Sequence, residues 1–122
     1  MNQRIKDNWV AALVSGEYEQ CKNRLHIDNG FCCLGVLTDL YIKAHEGLDE
    51  GHWEVSTKHR QTFPGAMVFS PTGDYSLLPD AVVDWAGLDT DSPRVGSFQL
   101  SGLNDSGTSF KDIAQRIKES DL

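Results

Sequence analysis

The chain has 122 residues, of which 39% are hydrophobic and 24% are charged, and these values are typical of one globular domain and exclude a multidomain enzyme. Eighteen acidic residues against eleven basic ones give a net charge of −7, which argues against binding along a nucleic-acid duplex, where a basic face is usual. No apolar run approaches the roughly 18 residues that a membrane helix needs, and the first residues lack a signal-peptide pattern. We therefore expect a cytosolic protein that makes no membrane contact.

The cysteines predict free thiols in a reducing compartment. There are three of them, an odd number, and Cys32 and Cys33 are adjacent within an apolar run. Neither their spacing from Cys21 nor the spacing of the histidines matches a zinc site. The four histidines are His26, His45, His52 and His59. We expect them to be scattered surface imidazoles, and we expect no metal and no other cofactor.

The first element is predicted to be an amphipathic helix. Ile5, Trp9 and Leu13 recur at the spacing of one helical face. Asn2 is a suitable N-cap, and Gly16 is a suitable stop. This helix should bury its apolar stripe against the rest of the domain.

A short hairpin is predicted next. Residues 24–27 alternate in polarity as a strand does, residues 28–30 (Asp-Asn-Gly) are a tight-turn signal, and residues 31–32 should pair back.

The most apolar helix is expected over residues 33–44, directly after this hairpin. Its stripe is wide enough to predict a central helix that is buried over much of its circumference. The stripe consists of Cys33, Leu34, Val36, Leu37, Leu40, Tyr41 and Ala44. Gly35 costs this helix about 1 kcal/mol relative to alanine, which is understandable if another backbone or a ligand approaches closely there.

Short β-strands are predicted in the middle of the chain. Residues 52–56 and 66–69 have β-like composition, and residues 71–74 form a turn. A short helix should then begin with Pro79 in its first position and end at Gly87. Its inward-facing residues should be Val82, Trp85 and Ala86. Residues 89–96 are predicted to be a loop.

The C-terminal part is predicted to be helical. Leu100 and Leu103 suggest one helical turn, and Ser109 with Asp112 forms a capping box that opens the last helix. The apolar face of that helix consists of Phe110, Ile113, Ala114 and Ile117. Since no repeat or linker divides the chain, residues 1–122 are predicted to form a single compact α+β domain with a buried central helix, several shorter helices and a small antiparallel sheet.

The candidate catalytic groups favour a protein that is not an enzyme. Cys32 and Cys33 lie where a helix begins, which can lower a thiol pKa, but an apolar run with free cysteines is more typical of a core. Carboxylate pairs fall in predicted loops, where solvated acidic residues are common. No recognisable set of acid, base and nucleophile is present.

Two glycine-containing segments could receive a phosphate. Residues 29–35 and residues 104–109 each run into the N-terminus of a predicted helix, where unpaired N–H groups and a partial positive charge favour anions. Ordinary helix capping is the alternative interpretation of both segments.

The same stretches carry a family resemblance over residues 5–117. They are residues 8–13, 15–20, 30–37 (with the word FCCLGVL), 85–88 and 103–107 (LNDSG). They resemble a widespread family of small proteins of tailed phages and prophages. In size, origin and breadth of occurrence this family is similar to the phage anti-CBASS sponges. That resemblance implies a homotetramer that sequesters a cyclic dinucleotide such as 3′,3′-cGAMP in the host bacterial cytoplasm without cleaving it.

A binding site for such a ligand is predicted where the segment from Tyr18 to Arg24 meets the turn at 104–109. Tyr18 can stack on a base, and Lys22 and Arg24 can offset phosphate charge. The predicted ligand-binding residues are Tyr18, Gln20, Lys22, Arg24, Asn104, Asp105, Ser106 and Ser109. The alternative is that Asn104 and Asp105 close a turn and Arg24 lies in a solvated strand. The alternative functions are a protein–protein inhibitor of a host defence factor and a small cysteine-dependent hydrolase.

Overall fold

The computed structural model describes residues 1–57, 62 and 64–122, and over this part of the chain it has the predicted α+β architecture. The helices are α1 (Gln3–Val14), α2 (Cys33–Ala44), α3 (Asp80–Ala86), α4 (Leu100–Asp105) and α5 (Phe110–Glu119). The strands are β1 (Glu19–Gln20), β2 (His26–Ile27), β3 (Gly30–Phe31), β4 (His52–Val55), β5 (Met67–Ser70), β6 (Arg94–Val95) and β7 (Phe98–Gln99). The prediction of surface imidazoles was wrong for His26, which is buried and stacks on the ring of Phe31 at 3.9 Å, and His59 lies outside the described residues. None of the described helices has the length and apolar character needed to cross a bilayer.

Helix α1 begins and packs as predicted. The side chain of Asn2 accepts a hydrogen bond from the backbone N–H of Ile5 at 3.0 Å, which caps the helix. Trp9 is fully buried, and its indole Nε1 donates to the backbone oxygen of Cys33 at 2.9 Å. This hydrogen bond satisfies the polar end of the largest buried side chain and ties α1 to the start of α2.

The predicted hairpin is present but shorter than expected. His26 pairs with Phe31 and Ile27 with Gly30. Leu25 lies outside β2; its N–H donates to Tyr75 O at 2.7 Å, and its carbonyl oxygen accepts the N–H of Cys32 at 3.1 Å. Strand β1 joins the other side of β3 in parallel, so this three-stranded sheet is mixed rather than wholly antiparallel. The predicted pair of β4 and β5 is confirmed and is antiparallel.

Helix α2 is the central buried helix. Every residue from 33 to 39 is buried, and Leu37 and Val36 have no exposed surface. The close approach predicted at Gly35 is made by a backbone, because a Cβ there would lie 1.8 Å from the carbonyl oxygen of Leu25. Glycine therefore allows the hairpin to cross directly over the first turn of the helix.

Two local predictions in the second half of the chain were wrong. Pro79 is the N-cap of α3 rather than its first helical residue, although Gly87 ends the helix with φ 72° as predicted. The predicted loop at 89–96 contains β6, which pairs antiparallel with β7. The turn between them contains Gly96 at φ 62°, and a glycine in the left-handed region makes so tight a hairpin possible.

Helix α5 confirms the predicted capping box in part. Ser109 Oγ accepts the backbone N–H of Asp112 at 3.2 Å, and the apolar face of the helix is buried against α1. Ser109 therefore satisfies one of the N–H groups that have no helical partner at the start of α5.

Candidate functional site

The two segments predicted to share a ligand lie side by side. We call the surface formed by residues 18–24 and 104–109 the polar junction. Gln20 Nε2 donates to Asn104 Oδ1 at 2.9 Å and to the backbone oxygen of Thr108 at 2.8 Å. These two hydrogen bonds connect β1 to both ends of the turn between α4 and α5.

Asn104 holds the polar junction together from inside. It has no exposed surface, and its Oδ1 also accepts the backbone N–H of Cys33 at 3.1 Å. Its Nδ2 donates to the backbone oxygen of Cys21 at 2.8 Å and to Asp105 Oδ1 at 3.2 Å. The sequence predicts a direct ligand contact for Asn104, whereas the structure engages its amide within the protein, where it joins β1, α2 and α4.

The other polar residues of the turn are also engaged within the protein. Asp105 Oδ1 accepts the backbone N–H of Asn23 at 2.8 Å, and Ser106 Oγ donates to the backbone oxygen of Leu103 at 3.0 Å. Ser109 caps α5. These bonds correspond to the predicted alternative in which the residues close a turn and cap a helix, and they leave the backbone and hydroxyls of the turn in a defined shape.

An open depression of about 640 Å³ lies against this turn. It is lined by Ser106, Gly107, Thr108, Ser109, Asp112, Gln115 and Arg116. Lys22 is at its edge, because its Nζ lies 3.9 Å from the point that a Cβ on Gly107 would occupy. The structure thus brings Lys22, Ser106 and Ser109 together around one open depression.

Tyr18 belongs to a separate cluster built around a buried carboxylate. Its hydroxyl donates to Asp39 Oδ2 at 2.6 Å, and Trp53 Nε1 donates to Asp39 Oδ1 at 3.1 Å. Lys43 Nζ lies 3.1 Å from both Asp39 Oδ2 and the hydroxyl oxygen of Tyr18. The ring of Tyr18 meets that of Phe31 edge to face at 5.1 Å. Sequence reasoning missed this cluster apart from Tyr18; only the i,i+4 spacing of Asp39 and Lys43 signals part of it.

The pKa shifts in this cluster favour a structural role for its side chains over a role in proton transfer. Burial, followed by the hydrogen bond to Asp39, raises the pKa of Tyr18 above its ordinary value. The hydrogen bonds with Tyr18 and Asp39 raise the pKa of Lys43. At neutral pH the phenol is therefore neutral and the amine charged, so neither group is a base.

Arg24 is placed differently from the prediction. It is 8% exposed, and its guanidinium carbon lies 4.3 Å from the centre of the Tyr75 ring. The alternative of a solvated strand is therefore wrong, because the side chain is buried against an aromatic ring.

The three cysteines are free thiols, and their surroundings disfavour a thiolate. Burial raises the pKa of Cys21 to about 11 and that of Cys32 to about 12, and it raises the pKa of Cys33 well above its ordinary value. Cys32 uses its sulfur to cap α2, accepting the backbone N–H of Gly35 at 3.3 Å. Within the described residues, no group of three or more His, Cys, Asp or Glu side chains is arranged to hold a metal ion.

The chain matches the model of a known protein family. A family model for a domain of unknown function, DUF8296, matches residues 1–121, and the chain belongs to this family. No curated protein and no solved structure matches the chain.

Proposed function

We propose that the protein is a non-catalytic binding protein, encoded by a phage, that sequesters a cyclic dinucleotide such as 3′,3′-cGAMP. In this proposal it acts in the cytoplasm of the host bacterium and removes a defence signal from solution. The observation that carries the proposal is the 640 Å³ depression beside the polar junction. Its lining combines hydroxyl and small residues (106–109) with the polar and charged side chains of Asp112, Gln115 and Arg116, and Lys22 is at its edge. The resemblance of the chain to a family of small phage proteins, which is similar to the phage sponges in size, origin and breadth of occurrence, supports the same class of ligand.

The chemistry of the depression suits a phosphate and a sugar. Lys22 supplies a positive charge. The N-terminus of α5, next to its N-cap Ser109, supplies backbone N–H groups and a partial positive charge. Thr108 and Ser106 add hydroxyls suited to a ribose. Because the whole chain carries a net charge of −7, an anionic ligand depends on such a local concentration of donors and cations.

Sequestration without cleavage is supported by the state of the cysteines. The alternative of a cysteine-dependent hydrolase needs a thiolate near neutral pH, whereas burial raises the pKa of Cys32 to about 12. The sulfur of Cys32 is also engaged as a helix cap. These two features of Cys32 argue against cysteine-dependent cleavage of a bound ligand.

The function is tested by recovering the ligand. The protein is incubated with a panel of cyclic dinucleotides, separated from free ligand and denatured by heat, and the released material is analysed by chromatography and mass spectrometry. We expect intact cyclic dinucleotide in stoichiometric amounts. Chemically altered nucleotide would instead indicate an enzyme, and retention of no nucleotide would favour a protein target.

Lys22→Ala tests the proposed location of the phosphate. Removing an ammonium that pairs with a ligand phosphate should weaken binding at least about tenfold, equivalent to about 1.4 kcal/mol. The melting temperature should stay nearly constant because Lys22 is exposed. Lys118→Ala is the matched control, since it makes the same charge change on an exposed residue at the far end of α5. Equal affinity of both variants in calorimetry would contradict this location.

The proposal includes a homotetramer, arranged as a dimer of dimers. A two-fold symmetric cyclic dinucleotide is matched by two copies of one surface that are related by a two-fold axis. Light scattering should therefore give an oligomeric mass, either for the free protein or for the complex. A monomeric mass in both states would rule out the assembly while leaving the ligand test unaffected.

A further inference from the structure

Arg116 on the exposed side of α5 lies against the aromatic ring of Phe98 from β7, and the proposed phosphate site uses neither side chain. The guanidinium carbon of Arg116 lies 5.6 Å from the centre of the Phe98 ring. Phe98 is 53% exposed, although it is a large apolar side chain, and it follows the tight turn at Gly96 in the β6–β7 hairpin. An exposed aromatic ring beside an arginine is a recurrent platform for nucleobases.

Arg116 lies where two depressions meet. It lines the 640 Å³ depression together with Asp112, and it lines a second depression of about 210 Å³ together with Gly96 and Glu119. Residues 112, 116 and 119 are spaced at i, i+4 and i+7, so they share one face of α5. The two depressions thus lie along the same helix and share Arg116 as a lining residue.

The charges along this face differ from those at the polar junction. Arg116 is flanked on its own helix by the carboxylates of Asp112 and Glu119, and the latter accepts a hydrogen bond from Gln115 Nε2 at 2.6 Å. Glu119, at the far end of α5 from Ser109, disfavours a phosphate there, and both carboxylates can accept hydrogen bonds from N–H groups. This end of the surface therefore offers both donors and acceptors beside an aromatic plane.

We infer that Phe98 and Arg116 form a nucleobase subsite that selects guanine, with Asp112 or Glu119 as the acceptor. The inference rests on the proposed function and specifies which base the same surface takes. Guanine presents the O6 and N7 acceptors that an arginine recognises, and it also carries N1–H and N2–H donors that a carboxylate can accept. Adenine has an amino group where guanine has O6, so it cannot accept from the guanidinium in the same way.

The distance along α5 allows one ligand to span both the proposed phosphate position and the nucleobase subsite. Ser109 and Arg116 are seven residues apart, which corresponds to about 10 Å at the helical rise of about 1.5 Å per residue. A dinucleotide can therefore keep a phosphate near Lys22 and Ser109 while one base reaches Phe98.

The test compares two probes that differ only in their bases. Calorimetry with 3′,3′-cyclic di-GMP and 3′,3′-cyclic di-AMP is carried out on the wild-type protein, Arg116→Gln, Phe98→Leu and the control Arg4→Gln, which neutralises an exposed arginine on α1. We expect the wild type and the control to bind the guanine probe at least about tenfold more tightly, since one well-placed bidentate pair discriminates to that degree. Arg116→Gln should abolish this preference. Phe98→Leu should weaken the binding of both probes by about tenfold, because an aromatic ring stacks on either base.

The outcomes separate the two proposals. Equal binding of both probes by the wild type, or a guanine preference that persists in Arg116→Gln, would overturn the guanine subsite and leave the proposed function standing. Unchanged affinities in Phe98→Leu would remove Phe98 from the subsite and so overturn it as stated. Absence of binding to either probe, and to every member of the wider cyclic dinucleotide panel, would overturn both proposals. Circular dichroism should show that all variants are folded, because Phe98 and Arg116 are exposed.

Discussion

Gly35→Ala is expected to destabilise the protein by more than about 4 kcal/mol, the range reached only by severe steric or burial defects. The added Cβ would lie 1.8 Å from the carbonyl oxygen and 2.8 Å from the carbonyl carbon of Leu25. Both atoms belong to the backbone, so no side-chain rotation can relieve the overlap. Moving Leu25 would also break its hydrogen bond from the N–H of Cys32, which is 3.1 Å long.

This expectation has the opposite sign to that of helix propensity alone. Alanine favours a helix interior by about 1 kcal/mol relative to glycine, so an isolated α2 would be stabilised by the same change. Gly102→Ala in α4 is the matched control, because Gly102 is exposed and an added Cβ there meets only Gln99 Cβ, at 4.0 Å. Urea denaturation should give a large loss for Gly35→Ala and a neutral or slightly positive change for Gly102→Ala. Similar stabilities for the two variants would refute the backbone contact.

Asn104→Ala should cost roughly 3 kcal/mol or more of unfolding free energy, since each buried group left without a partner costs about 1–3 kcal/mol. The substitution removes the acceptor for the backbone N–H of Cys33 and the donor for the backbone oxygen of Cys21. It also releases Gln20 from one of its two bonds in the polar junction. The loss should appear in a urea melt measured without any ligand.

Asn8→Ala is the control for this substitution. Asn8 is exposed on α1, where alanine is the better helix former, so its replacement should be neutral or slightly stabilising. A stable Asn104→Ala variant that has simply lost nucleotide binding would contradict the internal role described above and return Asn104 to the predicted ligand contacts. A loss of binding is therefore informative about Asn104 only at a temperature where the variant is folded.

The polar junction shows how far sequence reasoning reached towards the site. It predicted that residues 18–24 and 104–109 face a common ligand, and the structure brings the two segments into direct hydrogen-bond contact through Gln20. The ligand stays a prediction. What the sequence could not distinguish was which side chains hold the surface together and which face solvent. Asn104 and Lys22 both have polar side chains, yet the first has no exposed surface and the second lies at the edge of a depression.

Features that depend on nearby residues were determined by the sequence itself. The caps at Asn2 and Ser109, the turn at Asp28 and the broad apolar stripe of α2 each follow from side chains within a few positions of one another. Local hydrogen bonding and helical periodicity are sufficient to specify them. For this reason the α+β class and the central helix could be predicted without knowledge of the packing.

Features that depend on partners far along the chain were decided only by the tertiary structure. Asp39 is buried because Tyr18 and Trp53 reach it from other elements, and Arg24 is buried because Tyr75 covers it. The approach of Leu25 to Gly35 likewise depends on how the hairpin crosses α2. Burial of a polar group is favourable only when its partners are present, and those partners are brought together by the fold of the whole domain.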